Sequence, residues 1–180
     1  MNRKGLLAFL SVDSVQRHEE YFKDLKLRYS ILKKSYPSLS DKGVREIARM
    51  SIDADDRNEA AELFKDISSH ECYFESFCEN PRGYKPIKRY YSSEAAFVYE
   101  IFVAARSCKS SFIYVYKNKR GAPVISEQYL DFPIFAIDLC EHAYIFDYGF
   151  SRDEYLRHAL GFIDLQKLSL EPLDNTEKNV

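Results

Sequence analysis

Two stretches of the chain, 15–32 and 60–77, place apolar or aromatic residues in alternating steps of three and four, and no other feature constrains the fold as much. In the first, Val15, His18, Phe22, Leu25, Tyr29 and Leu32 fall on one face of a long helix. Ser11, Asp13 and Ser14 are candidate caps, and Tyr36-Pro37 should end it, because a proline disfavours helical geometry in the residue before it. In the second, Ala60, Leu63, Ile67, His70, Phe74 and Phe77 form the stripe, with Pro81-Arg82-Gly83 as the stop. Between them Ser40 opens a shorter amphipathic helix through Val44, Ile47 and Ala48, followed by the polar turn "DADDRN". Two long helices with one apolar face each must bury those faces, and each other's stripe is the nearest surface available.

The second half changes period. "SSEAAFVYEIFVAAR", residues 92–106, reads as one more helix, with a serine cap and a glutamate close behind. "SSFIYVY" and "APVIS" flank "KNKRG" as the arms of a hairpin, "FPIFAID" supplies a third apolar strand, and "SRDEYLRHALGFIDLQKL" returns to helical spacing. There is no internal repeat, and the tail "PLDNTEKNV" is polar and expected to be loose.

With 180 residues, 46% hydrophobic and 15% aromatic, the chain can bury a sizeable core. Its 26 basic and 28 acidic residues leave a formal charge of −2, so neither a nucleic-acid partner nor disorder is suggested by overall charge. The opening "MNRKGLLAFL" is too short in its apolar part for a membrane span or a secretory core. Cys72, Cys78, Cys108 and Cys140 form no CxxC pair and sit among apolar residues, which fits reduced thiols and a cytoplasmic protein.

Histidine is scarce, four in all, and its placement is informative. His18 and His70 each take a stripe position that would otherwise go to Leu or Phe, so both should point into the core between the long helices. One such histidine would ordinarily be a hydrogen-bonded core residue. The stretch "AIDLCEHAYIFDYG" adds Asp138 and His142, four apart, a spacing that on a helix puts both side chains on one face. If the helices pack against the strand end carrying Asp138, three imidazoles and a carboxylate converge. That donor set suits a first-row transition metal and leaves a position for solvent or substrate. His158, beside Arg157, faces solvent on the last helix.

"IDLCEHAYIFDYGFSRDEYLRHALGFIDL" resembles the C-terminal signature of the iron/manganese superoxide dismutases, Asp-x-Trp-Glu-His-Ala-Tyr-Tyr followed by Arg-Pro-x-Tyr, through Asp138, Glu141, His142, Ala143, Tyr144, Arg152 and Tyr155. "LSVDSVQRHEEY" is similar to that family's first ligand helix, "ISSHECYF" to its second, and "YYSSEAAFVYEIFVAA" to its Phe-Gly-Ser helix, so the likeness runs over roughly residues 6 to 168. It implies an α+β fold, an N-terminal helical hairpin (1–84) and a C-terminal α/β lobe (85–180) with a three-stranded antiparallel sheet. It also implies one manganese or iron per chain held by His18, His70, Asp138 and His142, with superoxide as substrate and no nucleic-acid or membrane partner.

The family pattern is altered around the implied site. Phe22 and Lys26 stand where the family has the histidine and tyrosine of its gateway, and Ile145 replaces the tyrosine that would bond that histidine across a dimer. The glutamine that holds metal-bound solvent has two candidate places, Asp66 in iron-type members and Gln128 in manganese-type members; Gln128 leans to manganese, Tyr73 to iron. Gln128, Asp66 and Lys26 are therefore the implied catalytic set, and Glu141 is the implied link between the subunits of a homodimer. The tryptophans are replaced by Phe74, Phe112, Tyr114, Cys140 and Leu160. An inactive, superoxide-dismutase-like structural subunit, as in some mitochondrial ribosomes, is the competing expectation.

Overall fold

The computed structural model describes residues 3–40, 42–130 and 132–169; the polar tail lies outside them. Helix α1 (Arg3–Leu7) leads into the long helix α2 (Val12–Ser35), and after the short α3 (Val44–Ile47) comes the second long helix, α4 (Ala54–Ser76). Helix α5 (Glu94–Ser107) precedes strands β1 (Phe112–Lys117), β2 (Pro123–Ser126) and β3 (Phe135–Asp138), and α6 (Ile145–Tyr148) and α7 (Arg152–Gly161) follow. The sheet is antiparallel in the order β2-β1-β3, with Tyr114 opposite Ser126 on one side and Ala136 on the other. The fold is thus α+β, with helical hairpin and three-stranded sheet as the sequence implied.

Ser11 is the cap of α2, its hydroxyl accepting from the Ser14 N–H, and Asp53 caps α4 by accepting from the N–H groups of Asp55 and Asp56. Such caps satisfy the orphan donors of the first turn and stabilise a helix by about 1 kcal/mol. The buried face of α2 is Val15, His18, Phe22, Leu25 and Tyr29, as the stripe predicts. Helix α4 is buried on more than its stripe, because Ser69, Tyr73 and Ser76 are covered too. The reason is that α4 packs on both α2 and β3. The Ala136 N–H donates to the Ser76 hydroxyl at 3.0 Å, and this bond joins the helix to the strand that ends in Asp138.

Three segments differ from the sequence expectation. Helix α4 stops at Ser76, ahead of Pro81, because the Phe77 main chain pairs with Ile163 and the Cys78 N–H donates to the Phe162 carbonyl. That same pairing interrupts the last helix, which breaks after Gly161 and resumes as a 3-10 turn at Leu165–Ser169. Ser40 opens no helix: Pro37–Leu39 forms a 3-10 turn, and α3, one turn long, starts after Gly43. Helix α1 had no periodic signal of its own. It is held by Gly5, whose missing side chain lets the helix lie directly on the main chain of Phe77 and Cys78. Among the described residues no helix is long and apolar enough to cross a membrane.

Candidate metal centre

Four elements deliver one side chain each to a common point. His18 comes from the second turn of α2, His70 from the C-terminal half of α4, Asp138 from the last position of β3, and His142 from the 3-10 turn that follows, Glu141–Ala143. Their four ligand atoms lie within 4.8 Å of one another. The Asp138–His142 spacing is met by a strand end and a turn instead of by a helix face, since the chain must leave the sheet at Asp138 to reach α6.

Asp138 is the hub. Its Oδ1 accepts the Cys140 N–H at 2.8 Å, which orients the carboxylate, and its main-chain carbonyl accepts the Tyr155 hydroxyl at 2.9 Å. Its Oδ2 is left facing three Nε2 atoms: His142 at 3.0 Å, His18 at 3.2 Å and His70 at 3.4 Å. Burial alone would push this carboxyl up, but the hydrogen bond from His142 and the contact with His18 outweigh it and hold the group well below the usual carboxylate range. Burial lowers His70 to about 4 despite the attraction of Asp138. A neutral His70 whose Nδ1 donates to the Asp66 carbonyl at 2.7 Å keeps its Nε2 lone pair turned inward.

The polar accounting of this pocket does not close with protein atoms alone. Both ring nitrogens of His18 and the Nε2 of His70 are buried without a hydrogen-bond partner. The Nε2 atoms of His18 and His70 come near Oδ2 without the alignment of a hydrogen bond, whereas that of His142 is bonded to it. Buried polar atoms are normally satisfied, and an unpaired one costs about 1–3 kcal/mol. A divalent or trivalent ion with imidazole and carboxylate ligands answers the deficit at the two Nε2 atoms, and bonds of about 2.0–2.2 Å span a cluster of this size with little adjustment. His18, His70, Asp138 and His142 thus fit a metal.

The other expected site residues are scattered. Asp66 is half-buried near the cluster; burial raises its carboxyl, and Asp138 and His142 are among the charges it senses. Lys26 points along the helix pair to Glu71 at 3.2 Å and lies over the Phe22 ring. Phe22 is buried against Phe74 and His70, and Ile145 is half-buried at the start of α6. Gln128 is exposed and lines a cavity of about 310 Å³ whose wall includes Phe112, the ring that packs on His70. Glu141 is exposed, as are the rings of Phe146 and Phe150. His158 is on the surface, bonded to the Tyr148 hydroxyl at 3.1 Å.

Two tyrosines flank the site: Tyr73, which the sequence reading named, and Tyr21, which it missed. Tyr73 is fully buried, 5.1 Å from His18 ring to ring, and accepts a 3.3 Å hydrogen bond from the Tyr155 hydroxyl. Tyr21 lies with its ring 4.5 Å from that of His142 and 5.4 Å from that of His70. Its place three residues after His18, on a neighbouring strip of the same helix, was the available signal.

The model of the family described as iron/manganese superoxide dismutases, C-terminal domain, matches residues 84–170. No curated protein matches the chain. The matched segment carries Asp138, Glu141 and His142, while His18 and His70 reach the same cluster from the helices before it.

Proposed function

The chain belongs to the iron/manganese superoxide dismutase family, and on that premise we propose that it is a metal-dependent superoxide dismutase. One observation carries the proposal: the Nε2 atoms of His18 and His70, buried without hydrogen-bond partners, and the Nε2 of His142, bonded to Asp138, all face a single anionic carboxylate. When bound, manganese or iron supplies the one-electron steps in which one superoxide is oxidised to oxygen and a second is reduced, with two protons, to hydrogen peroxide. The protein's part is to hold the charge and the protons. Asp138 stays ionised and offsets the positive charge of a bound ion, and His70 stays neutral because burial opposes its protonation. Asp66 is a half-buried carboxyl that burial raises and that senses Asp138 and His142, and we assign it proton exchange with the cluster. Gln128 is exposed, so the choice between manganese and iron finds no support from it.

In this reading residues 1–84 form the helical-hairpin domain and 85–180 the α/β domain. The exposure of Glu141, with that of Phe146 and Phe150, supports a homodimer in which Glu141 bonds the partner's copy of His142. The four unpaired cysteines agree with a reducing, cytoplasmic setting. A second reading is favoured by the occupied gateway: with Lys26 tied to Glu71 and Phe22 buried, the fold would serve as a metal-bearing or purely structural subunit without turnover. Metal analysis of protein purified without added metal, joined to a superoxide-decay assay on the same sample, separates the two. About one manganese or iron per chain with decay above the free-metal rate is the expected result, and His142→Ala should lose both; metal retained in full by that variant defeats the assignment.

A further inference from the structure

Three of the four side chains in the cluster are sealed from solvent. His18 and Asp138 have no exposed side-chain surface, and His70 has 2%. His142 differs, with 33% of its side chain exposed, so the solvent side of the cluster is at this residue. Elsewhere rings wall the site: Tyr73 and Phe74 each lie 5.1 Å from His18, and Phe112 lies 5.1 Å from His70. The solvent side carries a ring as well. Tyr21 packs with its ring tilted against His142 and His70, 4.5 and 5.4 Å away, and is itself 40% exposed. It is held by its helix, since Phe22 next to it is anchored in the core. The gateway positions named by family resemblance do not do this: Phe22 points inward and Lys26 is paired with Glu71.

We propose that Tyr21 is the access residue of the centre: its ring covers the exposed face of His142, so that small solutes and the metal itself reach the cluster past it. From the proposed function this takes only that the four residues form the metal site. An aromatic ring on a rigid helix is a suitable door, because a single side-chain rotation opens it without disturbing the four ligands.

Acylation of histidine by diethyl pyrocarbonate, resolved by peptide mass spectrometry, reads the accessibility of His142 in the metal-free chain with exposed His158 as internal standard. Tyr21→Ala should raise the His142 rate several-fold relative to His158, Tyr21→Phe should leave it near that of the parent, and the larger ring of Tyr21→Trp should slow it. If Tyr21→Ala also exposes His18, the fold has opened, and the Tyr21→Trp rate decides. In manganese-loaded protein the same order should appear in the rate of metal loss to EDTA at unchanged metal stoichiometry. Equal His142 rates in Tyr21→Trp and the parent, with no acceleration in Tyr21→Ala, would overturn the proposal. A chain that holds metal but leaves superoxide untouched would defeat the proposed activity and leave this assignment intact.

Discussion

On the inner side of the candidate metal centre His18 and His70 are enclosed by Tyr73, Phe74 and Phe112, whereas on the outer side His142 packs against Tyr21 and the exposed Glu141 is its chain neighbour. Both sides use aromatic rings against imidazoles. The inner rings are also core residues of the α2–α4 and α4–β3 contacts, so site geometry and fold stability there are one and the same property. The outer ring contributes little to the core and can be changed with the fold kept. The inner wall therefore fixes where the donors stand, and the outer edge governs what reaches them.

The strongest test of that contrast is Phe74→Ala. This ring touches His18, Phe22, His70 and Tyr73, and its loss should lower stability by about 3–5 kcal/mol in urea unfolding while reducing metal retention as well. A smaller loss with metal binding unaltered would separate the wall from the core.

Acid should act on the inner side next. His70 binds its proton more weakly folded than unfolded, so its share of stability is complete above pH 6.5 and is lost as pH falls from there to about 4. At about 1.36 kcal/mol per pH unit the loss approaches roughly 3 kcal/mol. Asp138, held low in the folded state, carries the decline on below the ordinary carboxylate range. Denaturant midpoints of the metal-free chain at pH 7, 5.5 and 4 check this, and His70→Gln should flatten the upper part of the curve; a midpoint indifferent to pH over that window would mean that His70 titrates normally.

The smallest effect belongs to the outer helix surface. Lys26→Met removes an exposed ion pair with Glu71, worth no more than about 0.5 kcal/mol, and should leave both thermal midpoint and metal content where they were. A clear change in superoxide decay in that variant would instead give Lys26 a part in attracting the substrate anion.

Much of the inner side was legible in the sequence. The stripes of α2 and α4 predicted which residues are buried, and the presence of His18 and His70 within them predicted imidazoles in the core, because burial on a helix follows local periodicity. The hairpin of β1 and β2 followed from turn residues between β-formers. What failed were the ends of elements: α4 and α7 stop where Phe77 and Ile163 pair, a contact between residues 86 positions apart that no local window contains.

The outer edge was not legible in that way. The sequence by itself singled out His18, His70, Asp138 and His142 as a candidate donor set and placed the first two on the buried faces of long helices, since both readings depend on short-range pattern and residue chemistry. Only the tertiary structure decided that Asp138 and His142 meet through a strand end and a turn, that Gln128 faces solvent, and that Tyr21, not Phe22 or Lys26, lies on the open side. The physical reason is that a half-exposed side chain on a helix takes its direction from whichever neighbours the packing of α2, α4 and β3 brings beside it, and those neighbours are remote in sequence.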